Sequence, residues 1–456
     1  MKKSTLSLIL IAISILFLAA CGSGAASNTS SDSTDEASEP EQEEVENKED
    51  RSQVSFWHSM SGANQEHLLH IVDGFNASQD EIYVSAQNQG SYDESTSKFF
   101  NVAGGDERPS VIQIGEQNLQ SMIDSGLVEP MGNLVEDYNY NLDHLIPGIV
   151  NFYSVEQELY AMPFNSSSLV LYYNVEALEK AGLTEAPKTF EEITEAATAI
   201  ADANEGMKAF SKPVYGYALD QMVTNMGGLI VNNDNGRSGR ATEVAYHDQV
   251  KEVFTWIQDL IDKDQFVNYG INFDDMYTGF YNGDVSMFIT TSAVAATIID
   301  DAPFEVGLGY LPVPEDIEAE GNYAAGGAMM VSSDLPEEER AATTEFMEYA
   351  TSPEVQAEWA GNTGYFAINT ESYHTDTMKS IYEETPQLKV AADQFLTSKQ
   401  TVATAGPLLS QLPQLRNDLE SAEEMIFNNG DVDEAINQAA ENTNAAIESA
   451  NKSVGE

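Results

Sequence analysis

The chain has 456 residues, with 20 Lys or Arg against 75 Asp or Glu, giving a formal charge of −55. A hydrophobic share of 42% supports a packed core, and the length predicts roughly two domains. The acidity argues against a nucleic-acid partner and against adhesion to anionic lipid, because both reward clustered Lys and Arg. The single cysteine excludes an internal disulfide and a cysteine-ligated zinc site.

Lys2 and Lys3 precede an apolar run from Leu6 to Ala20 that ends at Cys21. A basic start, a short apolar stretch and small residues before a cut predict a secretory leader over residues 1–20. Leu18-Ala19-Ala20-Cys21 resembles the bacterial lipobox, which implies cleavage before Cys21 and acylation of its thiol. That resemblance implies an extracytoplasmic protein tethered by lipid to the outer face of the cytoplasmic membrane. Residues 21–53, rich in Ser, Thr, Asp and then Glu, predict an acidic flexible spacer that buries no core.

From Val54 onward short apolar runs alternate with helical patterns. Strands are predicted at Val54–Trp57, Ile82–Ser85 and Val111–Ile114. Helices are predicted from Asn64 to Phe75, after Tyr92, and from Glu116 to Ser125. This rhythm predicts an α/β fold with a mostly parallel sheet and ligands at strand carboxyl ends, where His58, Tyr92 and Glu116 fall. A second unit begins near Asn165, with a strand at Leu169–Tyr173 and a helix from Asn174 to Ala181. Thr189 and Glu192 are spaced as a capping box. From Phe346 the pattern is largely helical, ending in an Ala-rich amphipathic stretch from Val432 to Ala450.

Catalytic signals are lacking. His67 and His70 lie one helical turn apart without the His-Glu-x-x-His arrangement, and His70 falls within its helix's apolar periodicity. Asp137, Asn139, Asn141 and Asp143 alternate as in a calcium loop, but the glycine and glutamate such a loop needs are missing. Neither a nucleophile elbow, a P-loop nor a dinucleotide fingerprint is found. The chain reads as a non-enzyme without metal or cofactor.

Phe56-Trp57-His58-Ser59-Met60, Gly90-Ser91-Tyr92, Pro163-Phe164-Asn165-Ser166-Ser167, Phe280-Tyr281-Asn282-Gly283-Asp284, Gly326-Gly327-Ala328, Thr363-Gly364-Tyr365 and Pro413-Gln414-Leu415-Arg416 follow in this order. The ordered set resembles the family 1 extracellular solute-binding proteins of ABC importers, specifically the branch serving phosphoglycerol uptake. The resemblance implies a two-lobed periplasmic-binding-protein fold (type II) with a hinge and an interlobe ligand cleft. It would put residues 54–163 and 327–368 in one lobe and residues 164–326 and 369–456 in the other. Permease subunits and a small phosphate ester, sn-glycerol-3-phosphate or a glycerophosphodiester, are the implied partners of a monomer.

Carried over by position, the family's ligand contacts fall on Tyr92, Glu116, Ser167, Thr291, Gly327, Tyr365 and Arg416. The family commonly has serine at the position of Thr291, and Ser292 stands one residue on. In this reading Arg416, one of six arginines, offers donors to phosphate oxygens. The Gly327 amide permits close approach, and Tyr365 and Ser167 donate hydroxyls. Glu116 accepts from glycerol hydroxyls at the ligand's opposite end. The bland alternative makes Arg416 a surface residue paired to Glu420. The family's tryptophan pair after Gly-Tyr is replaced by Ala218-Leu219-Asp220-Gln221-Met222-Val223-Thr224, which predicts a wider pocket there. An oligosaccharide receptor of the same fold and an extracytoplasmic phosphodiester hydrolase are the competing readings.

Overall fold

The computed structural model describes residues 50–454, apart from residues 103, 106 and 205. The leader, Cys21 and the spacer up to residue 49 lie outside the described residues. Among the described residues, regular structure is already present ahead of Val54, where the sequence reading starts its first strand. The Arg51 guanidinium is buried, donating to the carbonyls of Asn76 and Gln79 at 3.0 and 3.2 Å, and strand β1 (Ser52–His58) starts beside it.

The strands continue as β2 (Ile82–Asn88), β3 (Val111–Gly115), β4 (Val128–Glu129), β5 (Ser154–Val155), β6 (Glu158–Leu159), β7 (Met162–Ser167) and β8 (Leu169–Asn174). They end with β9 (Lys208–Ser211), β10 (Phe266–Val267), β11 (Val285–Thr291), β12 (Val306–Gly309) and β13 (Ala325–Ser332). One sheet runs β2-β1-β3-β13-β4 with β7 also on β13, and a second runs β10-β9-β11-β8-β12; β5 and β6 form a separate hairpin. The predicted parallel character holds for β2-β1-β3 and β10-β9-β11. The strands β13, β8 and β12 run antiparallel to their neighbours. Every residue of β3 is buried, so helices cover both faces of the first sheet.

The chain leaves the first sheet at Ser168, between β7 and β8, and returns at β13. The first passage falls a few residues beyond the 163/164 boundary predicted from sequence, because Pro163 to Ser167 pair with β13. After Ile368 the chain stays beside the helix Pro353–Thr363. Met378, on the helix Asp376–Glu384, packs with Ala357 and Ala360. Gln387 then donates to the Val306 carbonyl of the second sheet at 3.2 Å. The capping box forms at Thr189, whose hydroxyl accepts from the Glu192 amide at 3.0 Å, but the Glu192 carboxylate accepts from Lys188 instead of Thr189.

Segment 232–240 departs from ordinary backbone. Asn233, Asp234, Asn235 and Gly236 all have φ between 54° and 78°, residue types that tolerate the left-handed region best. Buried Asn235 secures the turn, its side-chain oxygen accepting from the Ile230 amide at 2.8 Å. The turn delivers two arginines towards the first sheet's body. Arg237 donates to the Phe152 carbonyl at 3.1 Å, and Arg240 grips Asp124 through two bonds of 3.1 and 2.7 Å.

Candidate functional site

A cavity of about 230 Å3 opens between the two sheets. Tyr92, Glu116 and Gly326 line it from the first sheet's side, Thr291, Tyr217 and Arg416 from the second, with Ser167 and Tyr365 near the crossings. Larger depressions occur, such as one of about 380 Å3 beside Trp256, but that one touches only the second body.

Arg416 sits in the first turns of the helix Leu412–Phe427, which opens with Pro413, pre-set for a helical start. It is 9% exposed. Its Nε donates to Asp220 at 2.7 Å, and its Nη2 donates to Glu116 at 2.8 Å and to the Tyr323 hydroxyl at 2.9 Å. The guanidinium carbon lies 5.4 Å from the Tyr217 ring centre, a cation–π distance. Among the described residues Nη1 has no hydrogen-bond partner, which leaves one amino group of the fork for a ligand. Glu420 is not its partner, as the surface alternative required; Glu420 accepts from the Gly216 amide at 2.8 Å.

The helix Gly216–Asn225 presents Asp220. Its first residue must be glycine for packing reasons: a Cβ at Gly216 would lie 2.5 Å from the Arg416 Cβ and 2.7 Å from its Cα. Behind this contact Lys212 and Glu423 form a fully buried ion pair, and Glu423 also accepts from the Tyr215 amide at 3.3 Å. Burial pushes the Asp220 carboxyl up to about 6, with Glu116 adding to the rise and Arg416 opposing it.

Glu116 does not hold an opposite end of the site from Arg416, as the sequence reading placed it. It bonds Arg416 directly and accepts from the Gly326 amide at 3.1 Å. Gly327 is not among the residues that line the cavity. Its missing side chain makes room for protein groups, since a Cβ there would meet Asn165 Oδ1 at 2.6 Å and the Tyr92 hydroxyl at 2.7 Å. Its neighbour Gly326, with φ 112°, lines the cavity.

Thr291 faces the cavity while its hydroxyl accepts from the Ala293 amide at 3.2 Å. Ser292 is fully buried and accepts from the Ser168 amide, so it is a scaffold residue. Ser167 lines the cavity at 4% exposure. Tyr92 and Tyr365 meet around Asn165, whose amide donates to the Tyr92 hydroxyl at 3.0 Å while its oxygen accepts from Gln113 at 2.8 Å. Burial pushes the Tyr365 phenol up to about 12 and the Tyr92 phenol well above its usual range, so both are neutral donors near pH 7. Trp359 stacks on Tyr365 at 5.4 Å and fixes that ring.

Asp220, Gln221 and Thr224 are fully buried, and the aromatic surface is supplied by Tyr215 and Tyr217. Asp220, Tyr215, Tyr217, Tyr323 and Gly326 were not expected from the sequence as ligand contacts. Only Asp220 carried a signal, as a lone acid where rings were expected.

The residues set aside as metal candidates stay apart. His70 is exposed and outside its helix's apolar face, and Asp137 pairs with Arg340 at 2.6 Å. Among the described residues no group of three or more His, Cys, Asp or Glu is placed to hold a metal ion, and no helix is long and apolar enough to cross a membrane.

Residues 70–390 match the profile of the family described as bacterial extracellular solute-binding protein. The chain is 30% identical over 387 residues to the sn-glycerol-3-phosphate-binding periplasmic protein UgpB of Yersinia pestis bv. Antiqua, covering 82% of this chain and 88% of that one. It is 28% identical over 409 residues to UgpB of Pectobacterium atrosepticum, covering 87% and 91%. Among solved structures it is similar to UgpB from Mycobacterium tuberculosis in complex with glycerophosphocholine (TM-score 0.74, 18% identity, 87% and 98% covered). It is also similar to the sugar-binding protein MalE from Xanthomonas citri (TM-score 0.72, 16% identity, 89% and 99% covered).

Proposed function

The chain belongs to the bacterial extracellular solute-binding protein family, and from that premise we propose that it captures a small glycerophosphate ester, sn-glycerol-3-phosphate or a glycerophosphodiester, for an ABC importer. The lobes close on the ester and present it to the permease subunits, while acylated Cys21 and the acidic spacer keep the receptor near the membrane. The protein transports without transforming its ligand.

The observation that carries the reading is Arg416, an otherwise buried guanidinium whose Nη1 is unclaimed at a cavity between the lobes. A buried arginine with one open amino group is matched to a phosphate oxygen. Tyr365 and Ser167 supply neutral hydroxyls around it, and the tyrosine rings pack against a carbon skeleton. The named relatives that bind sn-glycerol-3-phosphate and glycerophosphocholine support the same ligand class.

One observation favours a second reading, an oligosaccharide receptor. Arg416 already faces two carboxylates, and acids beside tyrosines suit neutral hydroxyl-rich ligands. A thermal-shift panel with glycerol-3-phosphate, glycerophosphocholine, maltose and inorganic phosphate separates the two, because a ligand binding only the folded state raises Tm. A shift with a glycerophosphate ester is expected; a shift with maltose alone overturns the proposal.

A further inference from the structure

The helix Gly216–Asn225 holds the closest partner of Arg416. Asp220 is fully buried, and its Oδ2 accepts from Arg416 Nε at 2.7 Å and from the Tyr323 hydroxyl at 3.5 Å. Its Oδ1 has no hydrogen-bond partner. Arg416 thus meets two carboxylates, Asp220 and Glu116, before any ligand arrives. Counting Asp220 and Glu116 against Arg416, the three groups carry a net single negative charge. Glu420 and Asp93 line the same cavity and add to it. Of three nitrogens on Arg416, only Nη1 is left for an anion.

Given the glycerophosphate reading above, on which it rests, we infer that Asp220 is a specificity-determining residue that sets the cleft against doubly charged phosphate monoesters and in favour of singly charged phosphodiesters. The reason is electrostatic. Both ester classes place phosphate oxygens against Nη1, but the monoester brings a second negative charge beside two carboxylates. At a separation of about 6 Å and an effective dielectric of about 20, one extra like charge weakens binding by roughly two orders of magnitude. Protonating Asp220 removes that opposition. The groups facing it are Arg416, Glu116, Tyr323 and Tyr246, and burial already holds its carboxyl near the neutral form at mildly acidic pH. A dianionic ligand should therefore draw in more of a proton than a singly charged phosphodiester does.

The experiment is calorimetry of the wild-type protein and Asp220→Asn with glycerol-3-phosphate and glycerophosphocholine at pH 8, where the monoester is fully dianionic. Asp220→Asn is expected to tighten binding of both esters, and to tighten the dianionic monoester about tenfold or more beyond the singly charged diester. An equal change for both ligands would reveal a merely structural role and overturn the inference. Should the variant fold poorly, titrating the wild type in two buffers of different ionisation enthalpy supplies the second readout. Greater proton uptake with the monoester than with the diester supports the inference, and equal uptake overturns it. Failure of the wild type to bind either ester overturns the glycerophosphate reading itself, and this inference with it.

Discussion

Arg416 and Glu116, 300 positions apart in sequence, meet at 2.8 Å across the space between the two sheets. Glu116 follows the last residue of β3, and Arg416 rides on a helix packed against the second body. The pair therefore joins the lobes at the point where a ligand's anionic end would sit. On the proposed function it is a contact that the ligand would share or replace. Glu116→Gln is expected to loosen this contact between the lobes, giving a larger radius of gyration in solution scattering and a larger compaction on ligand addition. Identical scattering for variant and wild type would contradict this role.

A second joint lies further along the same two segments. Asp124 receives two bonds from Arg240 and one of 2.6 Å from Ser410, six residues ahead of Arg416. Burial works against ionisation of Asp124, but these donors outweigh it and hold its carboxyl below the usual range. The pair is partly exposed, so its worth is about 1 kcal/mol or less. Arg240→Ala should speed ligand release about two- to fivefold in stopped-flow dissociation with little change in association. Because the Asp124 pKa is depressed, its contribution is present above the ordinary carboxylate range and lost as pH falls. Release should thus quicken on acidification in the wild type and less so in the variant.

The buried Lys212–Glu423 pair supports the turn that presents Tyr215 and Gly216 beside Arg416. Lys212→Met strands a carboxylate with no counter-charge and is expected to cost about 3–5 kcal/mol in denaturant unfolding. Replacing both partners, Lys212→Met with Glu423→Leu, should restore most of that loss. If the double variant is no more stable than the single one, the uncompensated charge is not the cause.

Charge also governs capture. Asp93, Glu116 and Glu420 line the cavity in a protein of formal charge −55. At 1 M salt the Debye length falls to about 3 Å, so distant carboxylates fade while the Arg416 contact persists. Association of an anionic ester is expected to accelerate as salt rises. Rates that fall with added salt would contradict this.

The sequence was most informative where local chemistry decides. The strands Val111–Gly115 and Leu169–Asn174 and the Thr189 cap follow from apolar runs and side-chain oxygens within a few residues. Arg416, Tyr92, Ser167, Thr291 and Tyr365 were reached through the ordered family motifs, and the structure gathers all five around one cavity. What stayed hidden depended on distance and register. Nothing near Asp220 or Glu116 in sequence announces that both grip Arg416. Gly326 and Gly327 are adjacent glycines on a strand whose pairing with β7 shifts just after them, so the sequence does not reveal which one lines the cleft. The chain's third passage is similarly obscured, because Met378 packs back onto Ala357 and Ala360 before the second sheet is reached.

The central claim is that Arg416 receives a phosphate ester in the interlobe cavity. Calorimetric titration of glycerophosphocholine into the wild type and into Arg416→Lys tests it most directly. Lysine keeps the charge but loses the planar fork that reaches Asp220, Glu116 and the ligand together. The account predicts saturable binding to the wild type and a loss of at least tenfold in affinity in a variant that still unfolds cooperatively. Equal affinity in the two proteins would show that the ester binds without Arg416, and would contradict the account.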